Sequence, residues 1–437
     1  MKASRSTQQD LPLQFAGARA DITPLVPVPL AGVEGRTNVW ERVASRLEAN
    51  AFVLGDRSVR TLWVSADLLY FGPALVDALH LRAAAAGVAP GQVILAASHT
   101  HFAPATDCSK PRLGAVDAGY EAFLLARLCE LVDAVLLAPT VAVRGELTRV
   151  EAAGINVNRR RRWPLPTLTR DGFKLPPSLV MAPAPNAARD AHVDLLRFID
   201  AEGSTRGVAW KFACHPVCFP EPASVCAEFP GRARDRLRGE MASDLPVVFL
   251  QGFTGDVRPW LTGRRALSDQ LQVLRRGPGF GEVDLPTWEA WADRLADCVC
   301  RAATQAAGTP LPGPLRMDFI DLPMADVIDA AANPAAADRS LRIQRLDFGA
   351  GLSVLFVAAE VCSPYLARFG AGAKTLCVGY TGHVFGYLPS QAQAMEGGYE
   401  GGSYFARFGL HGTLRAGFEE AVVAAVARLQ GQALSVR

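Results

Sequence analysis

The sequence predicts a mixed α/β fold in a single domain, on three observations. The short runs Val93–Ala97 and 246–250 are apolar throughout, as strands buried on both faces are. Residues 72–86, 120–137 and 288–307 repeat their apolar side chains at helical spacing. Strand and helix signals alternate along 437 residues without repeats, heptads or a low-complexity linker, so residues 1–437 read as one domain with its core in 10–430.

In chain order, residues 51–54 and 61–64 flank Gly55-Asp56-Arg57-Ser58 and predict a hairpin. Helix 72–86 is broken by the glycines at 87 and 91 and followed by strand 93–97, which makes a βαβ unit with strand 61–64. Helix 120–137 stops before Pro139, and 140–150 alternates like a strand. Residues 163–185 are rich in proline and lack a period, which predicts a loop or lid. Strands 192–199 and 207–213 frame a second hairpin turn at Asp200-Ala201-Glu202-Gly203. Strands 343–348 and 352–358 pair around 349–351, and 414–429 forms the last amphipathic helix. The polar stretch 264–286 is the weakest joint.

Composition excludes several classes of function. With 45 basic and 43 acidic residues, no global charge favours nucleic acid or an anionic membrane. No apolar run approaches the roughly 20 residues of a transmembrane helix, and the amino terminus lacks the apolar core of a signal peptide. The nine cysteines are scattered, odd in number and without a CxxC pair. That argues against a disulfide framework and for a reducing, cytoplasmic compartment.

Chemistry concentrates in a few places. Of seven histidines, two stand in Ser98-His99-Thr100-His101, just past the buried strand 93–97. Strand ends are where α/β proteins place reactive groups, and alternation would point His99 and His101 to one side. His215 follows another strand end and precedes Pro216; alone, such a histidine is as readily structural. Glu360 closes the apolar run 352–359, and a carboxylate there needs a cation, either a metal or an arginine. Tyr399 stands in Gly397-Gly398-Tyr399-Glu400-Gly401-Gly402, where glycines permit close backbone approach or plain flexibility.

Taken together and in order, these segments resemble the neutral/alkaline (non-lysosomal) ceramidase family. The resemblance rests on Ala20-Asp21-Ile22-Thr23-Pro24, Arg46-Leu47-Glu48-Ala49-Asn50-Ala51-Phe52 and Ser65-Ala66-Asp67. It continues through Ser98-His99-Thr100-His101, Ala213-Cys214-His215-Pro216 and Gly252-Phe253-Thr254-Gly255-Asp256-Val257, and ends with Ala359-Glu360 and Gly398-Tyr399-Glu400-Gly401-Gly402-Ser403. It implies the fold of that family's catalytic domain, without the immunoglobulin-like carboxy-terminal domain of its larger members. It implies an amidase that cleaves the N-acyl bond with a metal-activated water. One Zn²⁺ per chain would be held by His99, His215, Glu360 and Tyr399. His101 would donate a proton or polarise the substrate, Arg159 would lie in the active site, and Tyr380 would line it.

The sequence departs from the family at instructive points. Gly255-Asp256-Val257 is followed by Arg258-Pro259 where the family has Ser-Pro. The loop 404–413 is rebuilt but keeps His411, and Ala358-Ala359 replaces Pro-Gly before Glu360. The run at 159–162 is as readily a solvated basic loop as a pocket wall; with Arg159 and Arg258 facing the site and His411 in its wall, the pocket would take a polar or acidic N-acyl compound rather than ceramide. The partner expected is a small or lipid-like N-acyl substrate, with no nucleic acid. Two other readings compete: an amidohydrolase barrel, which also opens on HxH, and a binding protein that kept the fold and lost the chemistry.

Overall fold

The structure is a computed structural model that describes residues 13–164, 167–169, 172–174, 177–262, 279–305 and 308–431. Its centre is a nine-stranded sheet. In spatial order the strands are Val247–Gln251, Thr205–Phe212, His192–Ile199, Val141–Glu151, Leu13–Asp21, Glu48–Gly55, Arg60–Ala66 and Val93–Ala97, with Thr309–Leu311 added beside Val141–Glu151. A second, four-stranded sheet runs Leu315–Pro323, Ser340–Phe348, Leu352–Val357, Thr375–Val378.

Burial sorts these elements into four layers. Phe15, Phe52, Trp63 and Phe198 on one face of the large sheet pack against Leu346, Val354 and Phe356 of the small one. The opposite face of the large sheet is covered in two halves. Helices Pro73–Ala85 and Ala118–Leu137 bring Leu75, Leu79, Leu124 and Leu128 against Ala51, Val64 and Leu95. Helices Glu228–Glu240 and Leu285–Thr304 bring Phe229, Trp288 and Trp291 against Trp210, Phe212 and Phe249. Helix Phe418–Leu429 seals the outer face of the small sheet with Val422 and Val426. No helix among the described residues is long and apolar enough to cross a membrane. All nine cysteines are free, as their spacing predicts.

The predicted hairpins and the βαβ unit are present: Glu48–Gly55 pairs antiparallel with Arg60–Ala66, which lies parallel to Val93–Ala97. Two expectations are corrected. Residues 163–185 are not a loop: strand Asn156–Pro164 pairs antiparallel with Pro177–Ala184, and Thr167–Thr169 with Gly172–Lys174. Its partner strand supplies the order that the proline-rich sequence hides, with Pro164 and Pro177 facing each other at one end of the ladder. The last helix starts at Phe418 rather than 414, because Gly417 sits at φ +81° and breaks the helical path. Of the joint at 264–286, residues 264–278 lie outside the described residues.

The large sheet curls so that its two edges meet. Strand Val247–Gln251 turns its free edge to side chains of the opposite end: Ser65 Oγ donates to Phe249 O at 2.9 Å, and Asn50 Oδ1 accepts from Val247 N at 3.1 Å. An otherwise open strand edge is thereby satisfied. The curl also gathers the ends of three parallel strand pairs: Arg60–Ala66 with Val93–Ala97, Thr205–Phe212 with Val247–Gln251, and Leu352–Val357 with Thr375–Val378. Backbone hydrogen bonds from Ala97 N to Tyr380 O, Gly379 N to Gln251 O and Tyr380 N to Ala359 O lock them together.

A close approach beside this junction is sensitive to one methyl group. A Cβ on Gly72 would lie 1.7 Å from Thr106 O. Gly72→Ala is therefore expected to lower stability by about 1–3 kcal/mol, the usual cost of forcing an extra carbon into a packed site. A urea denaturation midpoint equal to that of the wild type would refute this.

Candidate metal centre

Four of the six gathered strand ends deliver functional side chains. His99 and His101 follow Val93–Ala97, His215 follows Thr205–Phe212, Glu360 follows Leu352–Val357 and Tyr380 follows Thr375–Val378. His99 and Tyr380 adopt left-handed backbone conformations, with φ of 65° and 58°. Such a residue costs on the order of 1–3 kcal/mol unless its surroundings hold it. Here His99 N donates to Leu68 O at 2.8 Å, and Tyr380 N to Ala359 O at 3.1 Å. His99 and His101 thus converge through a turn rather than through the strand alternation that the sequence implies.

The hydrogen bonds fix which imidazole nitrogens face inward. His99 Nδ1 lies 3.0 Å from Leu69 O, and His215 Nδ1 lies 2.9 Å from Thr254 O. A carbonyl only accepts, so each Nδ1 carries the proton and each Nε2 keeps a lone pair. Those two Nε2 atoms are 3.1 Å apart, and His101 Nε2 is 3.3 Å from that of His99. Glu360 Oε2 completes the set at 3.6 Å from His99 Nε2 and 3.4 Å from His215 Nε2. Acceptors turned on one another in a buried place repel unless a cation lies among them. Backbone carbonyls holding the outer nitrogens are the usual support of metal-binding histidines. The ligand atoms of His99, His101 and His215 lie within 4.8 Å of one another, a spacing that can hold a metal ion.

Electrostatics agree. Burial holds the His99 imidazole down to about 3, reinforced by His215, and it lowers His215 as well, with help from Arg159. Burial and the two neighbouring imidazoles push His101 well below the ordinary histidine range. Burial opposes ionisation of Glu360, but His99, His215 and the hydroxyl of Tyr70 keep it below the usual carboxylate value. The set is neutral imidazole plus carboxylate, the protonation state that a divalent cation requires.

Around this set lies a shell of tyrosines, of which the sequence pointed to only part. Tyr380 OH donates to Glu360 Oε2 at 3.1 Å and accepts from Thr254 Oγ1 at 2.8 Å. Tyr70 donates to Glu360 Oε1, and Tyr387 OH lies 3.4 Å from His215 Nε2. Tyr399 stacks edgewise on Tyr387 at 5.3 Å, and the Arg407 guanidinium lies over its ring, 5.0 Å from the centre. Gly32, at φ +92°, lets a loop close over His101: a Cβ there would lie 2.5 Å from the ring.

The arginines divide into two kinds. Arg159 is buried and committed: Nε donates to Glu400 Oε1 at 2.6 Å, and one terminal nitrogen donates to Gly255 O at 2.8 Å and to Tyr387 OH at 3.2 Å. Arg160 reaches the other Glu400 oxygen at 2.7 Å. The anion expected opposite Arg159 is thus Glu400 of the chain itself, and Arg159 and Arg160 belong to a buried strand rather than a solvated loop. Arg258 differs. Its guanidinium lies 4.1 Å over the Phe280 ring and donates to Cys218 Sγ at 3.0 Å, and its Nε is buried without a partner. Asp256 and Glu228 are used elsewhere: Asp256 by Ser363, Asn158 and Gln393, and Glu228 by the backbone of Cys218 and Phe219. His411 is exposed and away from the cluster; its backbone is clipped to Asn333 at 2.8 Å.

No family model matches the chain, and no curated protein matches it. Solved structures do. A crystal structure of neutral ceramidase from Pseudomonas aeruginosa superposes with a TM-score of 0.71 at 18% identity, over 98% of this chain and 76% of that one. A structure described as ceramidase complexed with C2 gives a TM-score of 0.69 at 17% identity, over 98% and 77%. Identity at that level speaks for the fold: over nearly its whole length, this chain has the fold of the neutral ceramidases.

Proposed function

We propose that the protein is a zinc-dependent amidase, a hydrolase of N-acyl bonds that diverged from the ceramidases. The observation that carries this reading is the pair of unprotonated Nε2 atoms of His99 and His215, facing each other at 3.1 Å beside Glu360. The likeness to ceramidase structures supplies the reaction class. One Zn²⁺ would be held by His99, His215 and Glu360, with Tyr399 as the fourth ligand. At such a site zinc acidifies a water and polarises an acyl carbonyl.

The chain's own groups take the remaining roles. His101, kept neutral by burial, offers an N–H to the acyl oxygen or to the leaving nitrogen, as an uncharged donor does in other enzymes. Tyr380 and Tyr70 hold Glu360 in place from both of its oxygens. Arg159, neutralised by Glu400, positions Tyr387 beside His215. The eight-unit barrel reading finds no support in a four-layer arrangement. We further read residues 1–437 as one domain and place the protein in the cytoplasm, in keeping with nine free thiols.

The substrate we infer is a polar or acidic N-acyl compound, small or lipid-like. The support is Arg258, a guanidinium with no carboxylate against it among the described residues. Arg258→Ser is expected to weaken the transition-state binding of an acidic N-acyl compound by roughly 1.5–3 kcal/mol, the scale of a hydrogen bond to a charged group. A neutral analogue should lose little. Equal losses in kcat/KM on the paired compounds would make Arg258 structural. A gain on neutral ceramide would identify the arginine as what excludes it.

A further inference from the structure

Beside the metal centre, separated from it by a layer of aromatic rings, is a cavity of about 280 Å³. At roughly 30 Å³ per water-sized group it has room for about nine of them. Its apolar walls include Met324, Phe385, Phe408 and Leu410, and its basic groups are Lys110, Arg339, His383 and His411. Phe408 packs edge-on against Tyr70 with ring centres 6.2 Å apart, and Lys110 Nζ lies 5.1 Å from the centre of the same ring. Tyr70 is the residue that donates to Glu360. The cavity and the metal centre therefore share a wall.

Charge in this cavity is unbalanced. Asp107 is buried behind Lys110 and already serves Lys110, the backbone and hydroxyl of Ser109, and the His383 ring at 3.5 Å. Nothing anionic is left for Arg339. Among the described residues no carboxylate lies within ion-pair distance of it; it leans instead on His383 Nε2 at 3.0 Å. Arg339 is exposed, so water solvates its guanidinium, which is free to turn onto an anion. His411 lies on the same cavity, its backbone N–H and C=O both clipped to the Asn333 side chain. The loop carrying it is therefore held in place at the mouth.

We propose that this cavity binds a medium-length aliphatic carboxylate, its chain against Phe385, Phe408, Leu410 and Met324 and its head on Arg339 and His411. Apolar walls with one uncompensated guanidinium suit a monoanion with an apolar body. A phosphate would need more free donors than the cavity offers. The carboxylate has two possible sources. It is either the remote end of a dicarboxylic N-acyl substrate or a separate free acid. The binding does not depend on the hydrolase reading and is tested by titration alone; only the source of the acid is read from kinetics.

Octanoate is the probe. Titrated calorimetrically into the protein as purified, it should bind saturably at one per chain, and octanol should bind at least tenfold more weakly. Arg339→Gln should weaken octanoate at least tenfold, and Ala336→Trp, which fills the cavity from its wall, should do the same. His99→Ala should leave the binding intact. Loss of binding in His99→Ala, with none in Arg339→Gln, would place the acid at the metal centre and overturn the proposal. Unchanged binding in Ala336→Trp would place it on the surface and overturn it equally, as would no saturable binding at all. The two sources then separate kinetically. If Arg339→Gln raises KM only for N-acyl substrates with a terminal carboxylate, the substrate supplies the anion. If it abolishes an effect of octanoate on turnover and leaves KM unchanged, a free acid does.

Discussion

Protein purified without chelator is expected to carry about one zinc ion per chain, and His99→Ala or His215→Ala to lose it. These two imidazoles are common to the group that the structure brings together, His99 with His101 and His215, and to the proposed set of His99, His215, Glu360 and Tyr399. Their outer nitrogens are held by Leu69 O and Thr254 O, so the lone pairs are aimed before any ion arrives. Removing either leaves an incomplete site. Two further variants decide between the sets. Glu360→Gln lowers the metal content if the carboxylate is a ligand, and His101→Ala lowers it if the third imidazole is. Tyr70→Phe removes only a hydroxyl that orients Glu360, and a loss of about 10–100-fold in affinity is the scale for such a supporting partner. Chelator should also lower the melting temperature of the wild type, because binding to the folded state alone stabilises by mass action. The shift should vanish in His215→Ala. Full metal content in either histidine variant, by elemental analysis, would sink the assignment.

The sequence made the strand ends legible and much of the site with them. His99, His101, His215 and Glu360 each follow an apolar run, and a polar residue at that point is visible without coordinates. What brings them together is not visible. It depends on a sheet whose edges meet through Asn50 and Ser65, two polar residues that read as ordinary strand positions. The turn that places His99 depends on φ of 65° in a non-glycine residue, which no local pattern announces. Tyr70 and Tyr387 were missed because a buried tyrosine in an apolar segment looks like core until its hydroxyl is seen on a carboxylate or an imidazole. The four arginines at 159–162 left two readings open, a pocket wall or a solvated loop, and Arg159 and Arg160 are buried against Glu400. The signal that could have decided this is the spacing of Glu396 and Glu400 in the glycine-rich segment, two acids without a basic neighbour nearby in sequence.

That buried pairing makes Glu400 the position outside the metal ligands where one substitution should cost most. Glu400 divides its two oxygens between Arg159 and Arg160, at 2.6 and 2.7 Å. Arg160 keeps Glu396 at 3.3 Å and the carbonyls of Gln393 and Gly397 if Glu400 is lost. Arg159 keeps only Gly255 O and Tyr387 OH, and no carboxylate. Glu400→Gln preserves the shape and removes the charge, leaving an uncompensated buried guanidinium. The expected destabilisation is about 3–5 kcal/mol, the range for breaking a buried ion pair from one side. Replacing both partners, as Arg159→Met with Glu400→Leu, should recover much of it, because two apolar groups leave nothing unpaired. The effect should depend on pH in one direction. Burial works against ionisation of Glu400, but Arg159 and Arg160 prevail and hold its carboxyl below the ordinary value of 4.5. As pH falls, the unfolded chain takes up this proton before the folded protein does, so the stabilisation is full above that value and declines below it. The gap between wild type and Glu400→Gln, measured by urea denaturation with zinc in excess, should therefore be widest near neutrality and narrow below about pH 4. A gap that stays constant with pH, or one of less than about 1 kcal/mol at pH 7, the value typical of exposed pairs, would show that Arg159 does not rely on Glu400 for its charge.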